Sequence, residues 1–501
     1  AVSGTIVFMT EDVLVISAGH TTHSPSRLVL GCHLDAGYGH QLQALSSQLL
    51  SDGSFESEQS NSSSSLLSPW QHGGGGGIRL DAEYRMHGLK SMRITARQGV
   101  SPSWIANRGP FGHGLFLEVG RQYELSFHAS AHGGVSSLVL VGLVDWHTNR
   151  TVSLATLNIS APAWRRYTVE LPPIAAGTTC DTDGRCGGEL RLGSTSRGAA
   201  DVSIDYVRLE PGAWGRYKGL PVLASGVRAL EALGIGGIRF GGSFVSGPNN
   251  TELQWRRWVG PAWRRPSAAD ACWPRWVPPH WHPAWCVDLH AFGPFELLAL
   301  ADAMGVEAVL TTSAATPPSV LADLVEYALG DASTSALARQ RVADFGREPP
   351  YPLRYIELGN EELNGQFVPQ AAAMEARARS LGLGGRLRYL WAAPGPTTDS
   401  FLPPDALRAA VALSPRIDAS LAASVHIGHG YDGYLGGGAV GLARSLFADP
   451  AYRGFGPFGV ANTETNAKRQ DMGRALMEGG DLNEWLSADD VAPRLHGRYA
   501  S

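Results

Sequence analysis

The sequence predicts an α/β protein, a (β/α)8 barrel of the TIM type interrupted near its start by an inserted antiparallel β-sandwich. Three observations predict it. Strand–helix pairs follow one another along most of the chain. Short, strictly alternating runs fill the stretch between the first pair and the second. Two glutamates, Glu361 and Glu464, stand at strand ends 103 residues apart. A chain of 501 residues exceeds what one hydrophobic core supports, so more than one folding unit is expected.

In chain order, residues 1–27 form an N-terminal extension strand and residues 28–66 the first βα unit. That unit has an apolar strand, Leu28 to Leu34, a helical-looking run, His40 to Leu50, and a Ser-rich tail. Residues 67–211 change character. Tyr123, Leu125, Phe127 and Ala129 alternate with polar residues, as do Tyr167, Val169 and Leu171, and Val202 and Ile204. A period of two between Gly-rich turns is the pattern of antiparallel strands with one buried face. The run Gly73 to Gly77 is a loop; it lacks the strand before and helix after that a phosphate cradle needs.

Residues 212–501 return to strand–helix alternation. Helices are expected at 223–233, 294–304, 317–329, 368–381, 404–413, 439–448 and 470–486, and strands at 235–240, 306–312, 353–359, 387–392, 421–426 and 458–463. With the unit at 28–50 this makes seven βα units, the signature of a barrel. An eighth unit is not evident, because 489–499 does not resemble a buried strand; either the barrel is cut short at the C-terminus or it is completed irregularly.

Composition narrows the function. The charged fraction of 17% and hydrophobic fraction of 44% are those of a globular protein. A net charge of -5 leaves no cationic footprint for nucleic acid or an anionic membrane. No apolar window is long enough to span a bilayer. The opening Thr5 to Ala18 is broken by Glu11 and Asp12 and lacks a basic start, so it does not read as a signal peptide. Cys180 and Cys186 flank a turn and could close a hairpin; Cys272 and Cys286 could pin a loop; Cys32 lies in a strand and reads as a buried thiol. Neither pair has metal-site spacing. Sequons at Asn61, Asn149, Asn158 and Asn249 fit a secreted or cell-surface protein.

In barrels of this kind the working residues sit at the carboxyl ends of strands. Glu361 follows Tyr355 to Asn360 and Glu464 follows Phe458 to Thr463. Glycoside cleavage needs one carboxylic acid to protonate the departing oxygen and one carboxylate to attack the anomeric carbon; a separation of about 5–5.5 Å gives retention. The charged nucleophile keeps its partner protonated near neutrality. Asn360 is placed to bond a sugar 2-hydroxyl. Glu357 and Glu362 read as supporting residues.

Several segments resemble glycoside hydrolase family 51, the retaining α-L-arabinofuranosidases. They are Leu30 to Asp35, Leu50 to Glu56, Ile238 to Val245, Trp258 to Pro261 with Arg264 to Pro266, Phe292 to Glu296, and Glu348 to Tyr351 with Glu357 to Glu362. The resemblance implies Glu361 as acid/base, Glu464 as nucleophile, and Asp35, Ser243, Asn360, His426 and Tyr431 as substrate-binding residues. It implies no metal and no organic cofactor. The partner would be an arabinose-containing polysaccharide or glycoprotein glycan, and the sandwich would be of the carbohydrate-binding type. The chain departs from the family in having Asp35 where a Glu is usual, Ser243 where an Asn or Cys is usual, and Tyr431 in place of a Tyr two residues after His426.

Alternatives stand beside this reading. One is a related retaining hydrolase of β-glucan, xylan or a glucuronide; another is a catalytically silent carbohydrate-binding or structural glycoprotein. Trp255, Trp258, Trp263, Trp273, Trp276, Trp281 and Trp285 crowd one loop, either lining a sugar subsite or packing the loop's own core. His280, His282 and His290 lack the spacing and carboxylate partners of a metal site.

Overall fold

The computed structural model describes residues 31–35, 45–56, 70–109, 112–134, 136–181, 185–195, 198–241, 254–266, 292–360, 364–393, 402–413, 422–425, 449–452 and 459–461. The first strand, β1 (Gly31–Asp35), belongs to a parallel sheet completed far along the chain. Between them lie ten antiparallel strands: β2 (Trp70–Gly73), β3 (Gly77–Asp81), β4 (Ser91–Ala96), β5 (Trp104–Asn107), β6 (Tyr123–Ala131), β7 (Ser137–Asp145), β8 (Arg150–Ile159), β9 (Arg165–Glu170), β10 (Gly188–Ser194) and β11 (Ala200–Pro211). They form two sheets, β2-β5-β10-β7-β8 and β3-β4-β11-β6-β9.

The alternation explains the sandwich. Ile105, Val139, Val141, Leu143, Leu190 and Leu192 of the first sheet share one core with Ile94, Leu125, Phe127, Ala129, Val202 and Ile204 of the second. Successive strand residues point to opposite faces, so one face of each sheet is apolar and buried against the other. A disulfide joins Cys180 to Cys186.

The parallel sheet continues with β12 (Gly237–Gly241), β13 (Glu307–Thr312), β14 (Tyr355–Leu358), β15 (Arg388–Ala393), β16 (Ala422–Val425) and β17 (Gly459–Ala461), in the order β1-β12-β13-β14-β15-β16-β17. Its helices are α1 (Ala224–Ala232), α2 (Pro294–Met304), α3 (Pro318–Leu329), α4 (Ala336–Phe345), α5 (Phe367–Ser380) and α6 (Pro404–Leu413). Sequential strand order with crossovers of one hand puts the helices on one face. The core shows this: Ile238, Phe240, Ala308, Leu310, Ile356, Leu358, Tyr389 and Trp391 pack with Leu297, Leu298, Leu324, Met374 and Leu407 of the helices.

Two sequence expectations change. The run His40 to Leu50 is not helical at its end. Ser46 bridges Val222, Ser47 N–H donates to Pro221 O and Leu49 N–H to Leu209 O. Leu45 enters the core under the parallel sheet while Leu50 enters the sandwich core. One helix face could not serve both, so the chain extends. The helix α4 also stands where no element was expected. Expected helices at 439–448 and 470–486, and any eighth unit, lie outside the described residues.

The sandwich is tied to the loop after β12. His87 Nε2 lies 2.8 Å from Arg265 O and its Nδ1 2.8 Å from Ser54 Oγ. The carbonyl accepts, so Nε2 carries the proton and Nδ1 accepts from the serine. Burial holds His87 below its ordinary pKa, consistent with that neutral ring. Asp205 accepts from the backbone N–H groups of Met86, His87 and Tyr206. Its burial pushes the carboxyl up to about 8 against the pull of those bonds.

Candidate active site

The two faces of the parallel sheet differ. On the face turned from the helices, Arg239 and Glu357 are buried in alternate register with the apolar set. Arg239 Nε donates to Glu357 Oε2 at 2.6 Å, Thr311 Oγ1 donates to the same oxygen at 2.6 Å, and Arg239 Nη2 donates to Asn360 Oδ1 at 2.7 Å. Strand register puts Thr311 directly opposite Glu357. Gly241 makes room: a Cβ there would lie 2.3 Å from the Thr311 side chain.

Taking Arg and Glu out of water costs several kcal/mol per ion, which close pairing offsets only with further hydrogen bonds. Thr311 and Asn360 supply such bonds. Arg has donors only, so the Asn360 amide oxygen must face Arg239 and its NH2 must point away. The ion pair therefore fixes an amide at the carboxyl edge of β14.

The turn that follows is equally determined. Gly359 has φ +101° and its N–H donates to Thr312 O at 2.8 Å. Only glycine enters that region without strain. Beyond the turn, Asn364 Nδ2 donates to Leu358 O and to Gln370 Oε1. Gln370 Nε2 donates to Ala314 O and Thr316 O. These buried amides clamp Leu358 and Asn364 to the loop after β13.

Behind it, Arg341 is fully buried and donates to the carbonyls of Tyr327, Ala328, Gly330, Arg347 and Glu348. It closes the C-terminal end of α3, whose last carbonyls lack helical partners, and fixes the segment leading to Tyr351 and β14.

Of the expected site residues, Asn360 lies in this cluster. Asp35 ends β1 and pairs with Gly241 in the sheet register. Glu361, Glu464, Ser243, His426 and Tyr431 lie outside the described residues, as does Glu362. The strands preceding them, β12, β14, β16 and β17, neighbour one another through β13 and β15 and run in parallel, so all their carboxyl ends share one edge. Among the described residues no cluster of His, Cys, Asp or Glu could hold a metal.

Three of the crowded tryptophans are packing residues. Trp255 and Trp258 are buried in the core, with Trp255 Nε1 donating to Val320 O. Trp263 lies against His128, with the Arg166 guanidinium 4.4 Å from its ring centroid. The other four lie outside the described residues. Sequence reasoning assigned Arg239, Thr311, Asn364 and Gln370 no role. A charge between Ile238 and Phe240, matched by one between Ile356 and Leu358, was the available signal.

A sequential parallel sheet with helices on one face and a buried ion pair on the other, with an antiparallel sandwich inserted after its first strand, defines an α/β protein of two architectures. Residues 229–379 match the family described as Alpha-L-arabinofuranosidase 1 domain. The chain is 29% identical over 257 residues to a probable α-L-arabinofuranosidase A of Aspergillus terreus, covering 48% of this chain and 38% of the relative. It is 24% identical over 338 residues to α-L-arabinofuranosidase 1 of Arabidopsis thaliana, covering 63% and 46%. It thus spans less than half the length of these relatives. In fold it matches an arabinose-bound family 51 α-L-arabinofuranosidase with TM-score 0.65 at 18% identity, over 90% of this chain and 68% of that one. Over these stretches the chain is similar to α-L-arabinofuranosidases.

Proposed function

We propose that this chain carries the catalytic barrel of a retaining α-L-arabinofuranosidase that releases terminal arabinofuranosyl residues from an extracellular polysaccharide or glycoprotein glycan. On this reading the seven parallel strands belong to a closed eight-stranded barrel, into which residues 67–211 are inserted. Glu361 protonates the leaving oxygen. Glu464 attacks the anomeric carbon, and Glu361 then deprotonates the water that frees the sugar. Asn360, with its NH2 turned from Arg239, donates to the sugar 2-hydroxyl. Asp35, Ser243, His426 and Tyr431 contact the remaining hydroxyls.

The observation that carries this reading is the buried Arg239–Glu357–Asn360 cluster immediately before Glu361, within the segment that matches the family. It fixes Asn360, the residue next to Glu361 in the sequence, as catalysis by placed groups requires of its surroundings. The test is release of nitrophenol from aryl α-L-arabinofuranoside against a panel of aryl pyranosides, with the product anomer followed by NMR. Turnover of the furanoside with retention, lost by on the order of 1,000-fold or more in Glu361→Gln and in Glu464→Gln, is expected. Cleavage of pyranosides alone, or full activity in either variant, refutes it.

A further inference from the structure

The outer face of the sheet β2-β5-β10-β7-β8 carries a row of aromatic and cationic side chains that hydrolysis does not use. Glu189 on β10 is fully buried and accepts from two arginines, Arg108 Nε at 2.8 Å and Arg191 Nε at 2.5 Å. Each guanidinium is stacked: Arg108 lies 4.0 Å from the Trp146 ring centroid and Arg191 4.7 Å from that of Trp104. Trp104 pairs with Gly73 on one side and Gly193 on the other. A Cβ at Gly73 would lie 2.5 Å from the indole, and one at Gly193 2.9 Å from the Trp104 side chain, so the ring occupies the floor the two glycines leave. Trp146 is held by its Nε1, which donates to Cys186 O beside the Cys180–Cys186 disulfide.

The row is held in place and carries net positive charge, with two guanidinium groups against one carboxylate. Arg191 Nη1 also donates to Asn149 Oδ1. Among the described residues the Nη atoms of Arg108 and the Nη2 of Arg191 make no hydrogen bond, and both side chains remain about a fifth to a quarter exposed, at 21% and 24%. Fixing an arginine at Nε orients the outer pair of nitrogens, the pair that grips a carboxylate in bidentate fashion. The Trp104 indole offers an apolar surface to the C–H face of a sugar ring, whereas the Trp146 ring already carries both Arg108 and His147, whose ring centroid lies 3.8 Å away, and so serves to position Arg108. Strand spacing from Gly193, opposite Trp104, back to Gly188, opposite Asp145, puts the two tryptophans about 17 Å apart along the sheet.

We propose that this face binds an anionic saccharide chain, its uronate carboxylates on Arg108 and Arg191 and a sugar ring against Trp104. Charge complementarity selects uronate-bearing chains over neutral ones. The site stands apart from the glycosidic chemistry proposed for the parallel sheet, and its test reads binding alone.

The test is isothermal titration calorimetry of the full chain, produced without N-glycans, against short oligogalacturonates and neutral xylo-oligosaccharides. Neither probe carries arabinose, so turnover plays no part. The expected result is oligogalacturonate binding that weakens with added salt. It falls about tenfold in Arg108→Lys and in Arg191→Lys, which keep the charge but lose the fork. Leu154 is half exposed on the same face and pairs with Gly142, which pairs with Arg191. Leu154→Glu therefore brings a competing carboxylate without disturbing the buried Glu189, and a similar loss with unchanged melting temperature is expected. Equal, salt-insensitive binding of the neutral oligomers overturns the ligand class. Absence of oligogalacturonate binding, or binding undiminished in Leu154→Glu, overturns the site.

Discussion

The sandwich and the parallel sheet bury charge in opposite places. In the sandwich, the space between the sheets is apolar, and ionic groups are on outer faces or at the joint. Arg93 and Asp201, for example, pair through two 2.8 Å bonds while remaining 23% and 33% exposed. In the parallel sheet the apolar side faces the helices and the ion pair Arg239–Glu357 lies on the other side, 5% and 1% exposed. A pair held in water contributes about 1 kcal/mol or less. A pair taken out of water is retained only where its geometry is nearly complete. The difference teaches that the inner face of the parallel sheet is organised to hold polar groups still and that the sandwich core is organised for packing.

The sharpest way to break this comparison is to remove one cation from each region. Arg239→Met leaves Glu357 buried with one fewer partner and is expected to cost about 3–5 kcal/mol in urea unfolding, with loss of the proposed glycosidase activity. Arg93→Ala is expected to cost about 1 kcal/mol or less and leave activity unchanged. Similar costs for the two would dissolve the distinction.

A second substitution isolates the sandwich core. Phe127 is fully buried between the sheets, so Phe127→Ala is expected to cost about 3–5 kcal/mol by lost burial and cavity formation. Activity per folded molecule should remain; a kcat that falls with the sandwich's stability would mean the regions are coupled more closely than their cores suggest.

A smaller effect is expected at the turn before the proposed acid/base position. Gly359→Ala forces a side chain to φ +101° and should cost about 1–3 kcal/mol. Its signature is a fall in kcat beyond the stability loss, measured well below the melting temperature.

The smallest effect lies at the joint. Asp205, raised to about 8 in the folded chain from an ordinary 3.8, keeps a proton that the unfolded chain releases. Stability contributed by that proton is present below about pH 4 and is lost as pH rises to about 8. His128, lowered from 6.5 to about 4 by burial, acts in the opposite direction below pH 6.5. His87, His113 and His132, also lowered, act with His128 below 6.5, so among the described residues Asp205 is the group whose shift spans about 6.5 to 8; the melting temperature should decline there, and Asp205→Asn should flatten the decline. A slope that persists in the variant would remove Asp205 as its source.

Much of the fold was legible because hydrophobic period is local. Helix α2 was expected at 294–304 and occurs at Pro294–Met304; α6 was expected at 404–413 and occurs at Pro404–Leu413. The paired runs around Phe127 and Val202 became neighbouring strands β6 and β11. Helix α4 was missed because it has no apolar stripe: its buried residues are Ala338 and Arg341. Its ends were nevertheless marked, by Ser335, whose side chain accepts from Ala338 N–H, and by Gly346 in the left-handed region.

By itself the sequence determined most of the order of strands and helices and the alternating faces of the sandwich, since each follows from residue spacing along a few turns of chain. Only the tertiary structure decided that Leu45 and Leu50 belong to different cores, that Arg239 reaches Glu357 and Asn360 across more than a hundred residues, and that Trp255 and Trp258 are packing residues. Those outcomes depend on which distant surfaces exclude water together, and a local pattern does not specify its partner.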